Sequence, residues 1–276
     1  MIEQLAPVTF LELEISTYCQ LKCRHCYNSS GPDGDTGSMT VPAWKRIITE
    51  AATFGVEAVQ FIGGEPTLHP DLAELVRFAL DAGLNVDVYT NLVHVTDELW
   101  ELFSTPGVSL GTSWYAANPA KHAQVTGTEG SYYRTRANIV EALRRTIPLR
   151  AGIVEVVDGQ DVESAEAELR RLGVTDIAVD HARAVGRAAD GRPTTLEDLC
   201  GRCGDGRAAI SSHGALSPCV LGRHLIAGYV TDAPLGVLLK STQWREIVDA
   251  IPRRDACVTC NPADSNDCDP SRRPTP

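Results

Sequence analysis

Cys19-Gln-Leu-Lys-Cys23-Arg-His-Cys26-Tyr27 carries three cysteines in the pattern C-x3-C-x2-C, just after the run Val8-Thr-Phe-Leu-Glu-Leu-Glu-Ile15. That run alternates apolar and polar residues, as a half-buried strand does. The cysteines therefore occupy the loop that leaves a strand's carboxyl end. In barrel-like α/β folds this is the face on which chemistry is done.

Three thiolates so close together suit a cubane iron–sulfur cluster with one iron left without a protein ligand. Zinc is the first rival, because C-x2-C is a common half-site, although three cysteines at this spacing are unusual for it. A disulfide needs an oxidising compartment, and nothing in the chain points to one. The plain alternative is three unrelated core cysteines.

The composition bounds the rest. With 276 residues and 43% hydrophobic content, the chain can hold one sizeable core plus a small appended domain. A formal net charge of −11 argues against a nucleic-acid partner and against an anionic membrane surface, and would favour a basic substrate such as a cationic peptide. The start, Met1-Ile-Glu-Gln-Leu-Ala-Pro7, lacks the positive region of a signal peptide, and no apolar run approaches the roughly 18 residues of a membrane span. A cytoplasmic protein is expected, in which nine cysteines read as metal ligands better than as disulfides.

Along the chain, a Gly/Ser/Asp/Pro-rich loop covers Asn28 to Met39, and Thr40 caps a helix that Gly55 ends. Val56 to Ile62 is a strand running into Gly63-Gly64-Glu65-Pro66, followed by a helix from Pro70 to Ala82. Leu84 to Thr90 is the third strand, Thr96 to Phe103 a helix, and Val108 to Ser113 the fourth strand. A long connection containing Gly127 and Gly130 leads to a helix from Ser131 to Arg145. Pro148 to Val157 is a strand, Val162 to Leu172 a helix, and Val174 to Val179 the sixth strand. Such alternation demands a parallel sheet with helical crossovers, and six repeats fall short of a closed eight-stranded barrel.

Several polar positions lie at strand ends. Gly63-Gly64 offers bare backbone to a ligand, or is a plain turn. Asn91 and Ser113 end the third and fourth strands, where a polar residue is often only loop chemistry. His25, His69, His122 and His181 read as surface or capping residues.

The cysteine loop resembles that of the radical S-adenosylmethionine (SAM) superfamily, whose signature is C-x3-C-x-aromatic-C. Here His25 precedes Cys26 and Tyr27 follows it, as in a branch that reads C-R-H-C-Y. The resemblance implies that Cys19, Cys23 and Cys26 bind a [4Fe-4S] cluster whose open iron chelates the amine and carboxylate of SAM. One electron then splits the sulfonium, giving methionine and a 5′-deoxyadenosyl radical that takes hydrogen from substrate. A one-electron reductant such as flavodoxin or ferredoxin is the implied partner. Gly63-Gly64-Glu65-Pro66 resembles the family's GGEP motif, with Glu65 as the carboxylate for the SAM ammonium and Pro66 stiffening the turn. Asn91 and Ser113 stand where the family meets the ribose and carboxylate of SAM. Gly186-Arg187 resembles a Gly-Arg element of related enzymes, its guanidinium aimed at a carboxylate of SAM or substrate; the plain reading is a solvated arginine. The implied fold is a partial (β/α)6 TIM-like barrel followed by a small cysteine-rich iron–sulfur domain.

Residues 1–190 are assigned to that barrel, 191–268 to the second domain and 269–276 to a disordered tail. Cys200-Gly-Arg-Cys203, Cys219 within Gly214-Ala-Leu-Ser-Pro-Cys219, the segment around Trp244 and Cys257-Val-Thr-Cys260 resemble the SPASM and twitch auxiliary-cluster domains. A full SPASM set needs more cysteines than the remaining Cys268 supplies. Two fully ligated cubanes take eight thiolates and six are present, so at least one auxiliary [4Fe-4S] cluster is expected, with structural zinc as the rival. The implied activity is oxidative modification of a ribosomally made peptide by cross-link formation. One alternative is a twitch-type dehydrogenase acting on a sugar or aminocyclitol alcohol in natural-product synthesis. The other is a non-catalytic cluster scaffold. The first strand begins too early to leave room for an amino-terminal peptide-recognition domain.

Overall fold

The computed structural model describes residues 6–253. Cys257, Cys260, Cys268 and the expected tail lie outside the described residues. Six strand–helix repeats come first: β1 Phe10–Ser16, α1 Val41–Phe54, β2 Ala58–Gly63, α2 Leu72–Asp81, β3 Asn85–Tyr89, α3 Asp97–Phe103, β4 Val108–Trp114, α4 Pro119–Thr126, α5 Ser131–Arg144, β5 Leu149–Glu155, α6 Val162–Leu172 and β6 Asp176–His181. Short elements follow: β7 Arg207–Ile210, β8 Ala215–Ser217, β9 Gly228–Tyr229, α7 Leu235–Leu238 and α8 Thr242–Ala250.

All the strands form one sheet in the order β6-β5-β4-β3-β2-β1-β7-β8-β9. β1 to β6 pair in parallel in sequence order, giving the partial barrel expected from the repeats. β7 joins β1 in parallel, and β8 and β9 add antiparallel strands beyond it. Residues past 190 thus extend the same sheet, and Leu216, Val230 and Leu235 enter the main core. The connection after β4, read as a long link, holds α4, which Asn118 caps by accepting from Lys121 N.

Side-chain alternation divides the barrel strands into two faces. Leu11, Leu13, Val59, Phe61, Val86, Val88, Leu110 and Ile153 pack outward with Trp44, Ile47, Leu75 and Ile139 of the helices. The inward positions include a polar set, Glu12, Glu14, Gln60, Asp87, Ser109 and Arg150. Arg150 grips Asp87 through two hydrogen bonds of 2.6 and 2.8 Å, and Gln60 Nε2 and Ser109 Oγ donate to the same carboxylate at 2.6 and 2.9 Å. Four neighbouring strands, β2 to β5, are tied together at this level. A Cβ on Gly111 would lie 2.7 Å from the Arg150 guanidinium, so glycine there makes room for the pair.

With both partners almost wholly enclosed, removing one strands a buried charge. Asp87→Ala should destabilise by about 3–5 kcal/mol. The Asp87→Ala/Arg150→Ala double variant should cost clearly less than the sum of the singles. Denaturant midpoints measure both, and an Asp87→Ala variant within about 1 kcal/mol of the parent would contradict the reading.

Candidate functional site

β1 ends in an irregularity: its register with β2 shifts between Glu14 and Ser16, and Ser16 pairs with Gly63. Such a shift re-aims the chain, which leaves the sheet into the cysteine loop. That loop has no regular structure of its own, so its amides find partners elsewhere. Cys19 N donates to Gly31 O at 3.0 Å. Lys22 N and Arg24 N donate to Thr126 O and Val125 O at 3.0 and 2.9 Å, using carbonyls that the end of α4 leaves open. Gly64 presses on the loop from β2, where a Cβ would stand 2.1 Å from Tyr18 O.

Cys19, Cys23 and Cys26 all line one cavity of about 1060 Å³, counting the part open to solvent. Gly63, Gly64, Asn91 and Ser113 line it as well, so the structure brings these four together with the three cysteines. The thiols already receive amide hydrogens: Leu21 N reaches Cys19 Sγ at 3.4 Å, and Ser30 N reaches Cys26 Sγ at 3.3 Å. Burial and the nearby Glu65 carboxylate push the Cys19 thiol up to about 12. Burial and its two neighbouring cysteines push Cys23 up as well. Bringing Cys19 and Cys23 to thiolates in this enclosure is favoured by a bound cationic centre. Among the described residues, no three His, Cys, Asp or Glu side chains converge on one metal ion. Cys19, Cys23 and Cys26 nonetheless all face the same void, the donor type that a cubane's separate iron corners take.

Glu65 and Arg187 have other partners than those expected. Glu65 is buried and does not line the cavity. Its carboxylate accepts from Thr67 N, Thr67 Oγ1, Thr90 Oγ1 and Asn91 N at 2.6–3.0 Å, so it braces the turn that carries Asn91. Burial pushes its pKa up, and these four donors oppose that. Pro66 opens a single 3-10 turn behind it. Asn91 faces the cavity, with its amide bonded to Gln20 and to Cys19 Sγ. Ser113 Oγ shares a 3.0 Å hydrogen bond with the Tyr89 hydroxyl. Arg187 is half-buried and outside the cavity wall, and its guanidinium donates to Cys23 O and Ser30 O.

The histidines divide. His69 accepts from Asp71 N at 3.1 Å, a capping role as expected. His25 and His122 instead line the cavity, and burial pushes each down to about 4, so both are neutral at pH 7. His25 packs edge-on against Tyr115 at 5.1 Å, and its Nδ1 is enclosed without a partner among the described residues. His122 sits against Trp114, Tyr115 and Tyr132. Composition could not distinguish these from surface histidines, because the aromatic cage closes only in three dimensions. At the rim, β6 ends in Asp180 and His181, the latter exposed as expected, and Arg183 follows two residues on; Asp180 and Arg183 were not singled out in the sequence, and they pair at 3.0 Å through Arg183 Nη2.

Cys203 and Cys219 lie in a second apolar cluster with Ile62, Leu199, Val220 and Leu221, and the Cys203 thiol hydrogen-bonds with both Cys200 and Cys219. Gly222 N donates to Cys219 Sγ at 3.2 Å. Ile62, Leu221 and Tyr27 face the cavity and also pack on this cluster, forming a thin apolar partition between the two cysteine groups.

Comparison with known proteins follows the same lines. A model of the Radical SAM superfamily matches residues 13–172. The chain is 36% identical over 146 residues to the AdoMet-dependent heme synthase of Methanosarcina barkeri, covering 52% of this chain and 42% of that protein. It is 31% identical over 150 residues to the PqqA peptide cyclase of Ruegeria pomeroyi, covering 54% and 40%. The chain thus spans about two-fifths of the length of these curated relatives. In fold it resembles Streptococcus suis SuiB bound to its precursor peptide SuiA, with a TM-score of 0.72 at 17% identity over 88% of this chain and 67% of that one.

The neutral state of His122 has a measurable consequence. Its folded pKa lies below the ordinary histidine value, so its contribution to stability is full above about pH 6.5 and is lost as pH falls towards 4. The loss is at most about 3 kcal/mol, with His25 adding a second contribution in cluster-free protein. Urea midpoints at pH 7 and pH 5 should therefore differ less in His122→Phe than in the parent; an equal fall in both would contradict the burial argument.

Proposed function

Because this chain belongs to the radical SAM superfamily, we propose that Cys19, Cys23 and Cys26 hold a [4Fe-4S] cluster at three corners and that the loaded protein oxidatively modifies a ribosomally made peptide. The observation that carries the cluster assignment is that these three thiols share one cavity wall with Asn91 and the Gly63-Gly64 turn. When bound, the cluster supplies the electron that cleaves SAM at its sulfonium.

The chain's own residues bind, orient and exclude water. Leu21 and Ser30 amides steady two of the sulfurs, which favours thiolate ligands. Gly63 and Gly64 bring backbone to the cavity without side chains, which lets the methionyl end of SAM approach closely, while Gly64 N is itself taken by Ser16 O at 2.6 Å. Glu65 serves that end indirectly, by fixing the turn in which Asn91 faces the cavity. Leu21, Ile62, Val154 and Leu221 give the cavity an apolar lining that keeps water from a reactive substrate.

The hydrogen bonds that join Cys203 to Cys200 and Cys219, in an apolar cluster that includes Ile62 and Leu221 of the cavity wall, support an auxiliary cluster that would accept an electron from a substrate radical. The peptide assignment is supported by the PqqA peptide cyclase relative and by the SuiB fold with its bound precursor peptide. A small-molecule substrate is the second reading, favoured by the heme synthase relative at the higher identity. The aminocyclitol dehydrogenase belongs to that class.

Reduced, cluster-reconstituted protein incubated with SAM should release 5′-deoxyadenosine, and Cys23→Ala should release none. Cys203→Ala should retain at least a tenth of the cleavage while losing substrate product, about 1.4 kcal/mol in activation terms. Equal and total loss in both variants would contradict separate roles for the two cysteine groups, and absence of 5′-deoxyadenosine from the parent would favour a scaffold. Deuterium transfer from a labelled candidate peptide into 5′-deoxyadenosine distinguishes a peptide from a small-molecule substrate.

A further inference from the structure

Gly186-Arg187 lies just beyond β6, some 160 residues from the cysteine loop in sequence, yet it makes the densest set of contacts to that loop's backbone. Arg187 N donates to Cys26 O at 2.9 Å, Arg187 Nη1 donates to Cys23 O, and Arg187 Nη2 donates to Ser30 O. Three carbonyls of one irregular loop thus converge on a single residue. Gly186 permits the approach: its φ is +58°, and a Cβ there would stand 2.2 Å from Tyr27 O and 2.5 Å from Cys26 O.

The same loop turns amides toward its sulfurs, with Leu21 N on Cys19 Sγ and Ser30 N on Cys26 Sγ. Carbonyls held by the guanidinium cannot rotate toward the thiols, where their negative ends would oppose thiolate ligands. We propose that Gly186-Arg187 is a clamp that presets the cysteine loop for its cluster, making Arg187 a positioning residue rather than a contact to SAM or substrate. This rests on the cluster assignment above.

The clamp combines two properties that substitution separates. A planar fork serves two carbonyls at once, which an ammonium on a flexible stem does not. A fixed positive charge near the cluster stabilises its reduced form, and that much a lysine retains. In anaerobically reconstituted full-length protein, R187K should hold about half or less of the parent's SAM-responsive EPR signal per chain, with a midpoint potential close to the parent's. R187A should lose more signal, titrate at a more negative potential, and regain signal when guanidinium is added during reconstitution. If R187A fails to fold and guanidinium restores nothing, R187K decides by itself. Loading and potential equal to the parent's in R187K overturn the proposal. A parent protein with no SAM-responsive signal overturns the cluster assignment instead, so the two failures are told apart.

Discussion

Backbone packed directly on backbone is the constraint from which the site follows. The cysteine loop is irregular, yet glycines press against its carbonyls from two sides: Gly64 from the end of β2 against Tyr18, and Gly186 from beyond β6 against Tyr27. Neither contact leaves room for a methyl group. The carboxyl ends of β1 and β6 are therefore joined through the loop that carries the thiols. Hydrogen bonds from Lys22 and Arg24 to the end of α4 close a third side. A loop held this way keeps its thiols and amides oriented before any ligand arrives, which is what a site must do if binding is not to lose free energy in ordering it.

The barrel interior is divided by height. Toward the amino ends of the strands, Asp87, Arg150, Gln60 and Ser109 form a closed polar network whose charges satisfy one another. Toward the carboxyl ends the interior opens into the cavity, where glycines and strand-end polar residues replace bulk. Tyr89 and Gly111 mark the boundary, with the Arg150 guanidinium 5.4 Å from the Tyr89 ring and its space secured by the missing side chain at 111. A floor in which Asp87 and Arg150 neutralise one another, under an apolar-lined cavity, gives a rigid base to a chamber whose use is excluding water.

Much of this was legible in the residues. The six strands and the α6 boundaries follow from periodicity, and Thr40 and Gly55 cap α1 as read, the latter in a left-handed conformation. α4 escaped because eight residues with few apolar positions show no period; Asn118, Pro119 and Gly127, an N-cap, a first-turn proline and a C-terminal glycine, were the signal that would have found it. β7 to β9 are two to four residues long, too short to alternate visibly. At the site, the cysteines and the glycine turn could be singled out because their chemistry is local. The partners of Glu65 and Arg187 could not, because a carboxylate bracing a turn 26 residues away and a guanidinium clamping a loop on the far side of the barrel are properties of the packed chain.

The central claim is that Cys19, Cys23 and Cys26 suffice to hold one cluster with an iron open to SAM. The most direct measurement uses the protein in which Cys200, Cys203, Cys219, Cys257, Cys260 and Cys268 are all replaced by alanine, reconstituted without oxygen and reduced. The account predicts one [4Fe-4S] cluster per chain, with an EPR spectrum that changes when SAM is added. Iron-free protein that is otherwise folded, or a cluster whose spectrum ignores SAM, would contradict it.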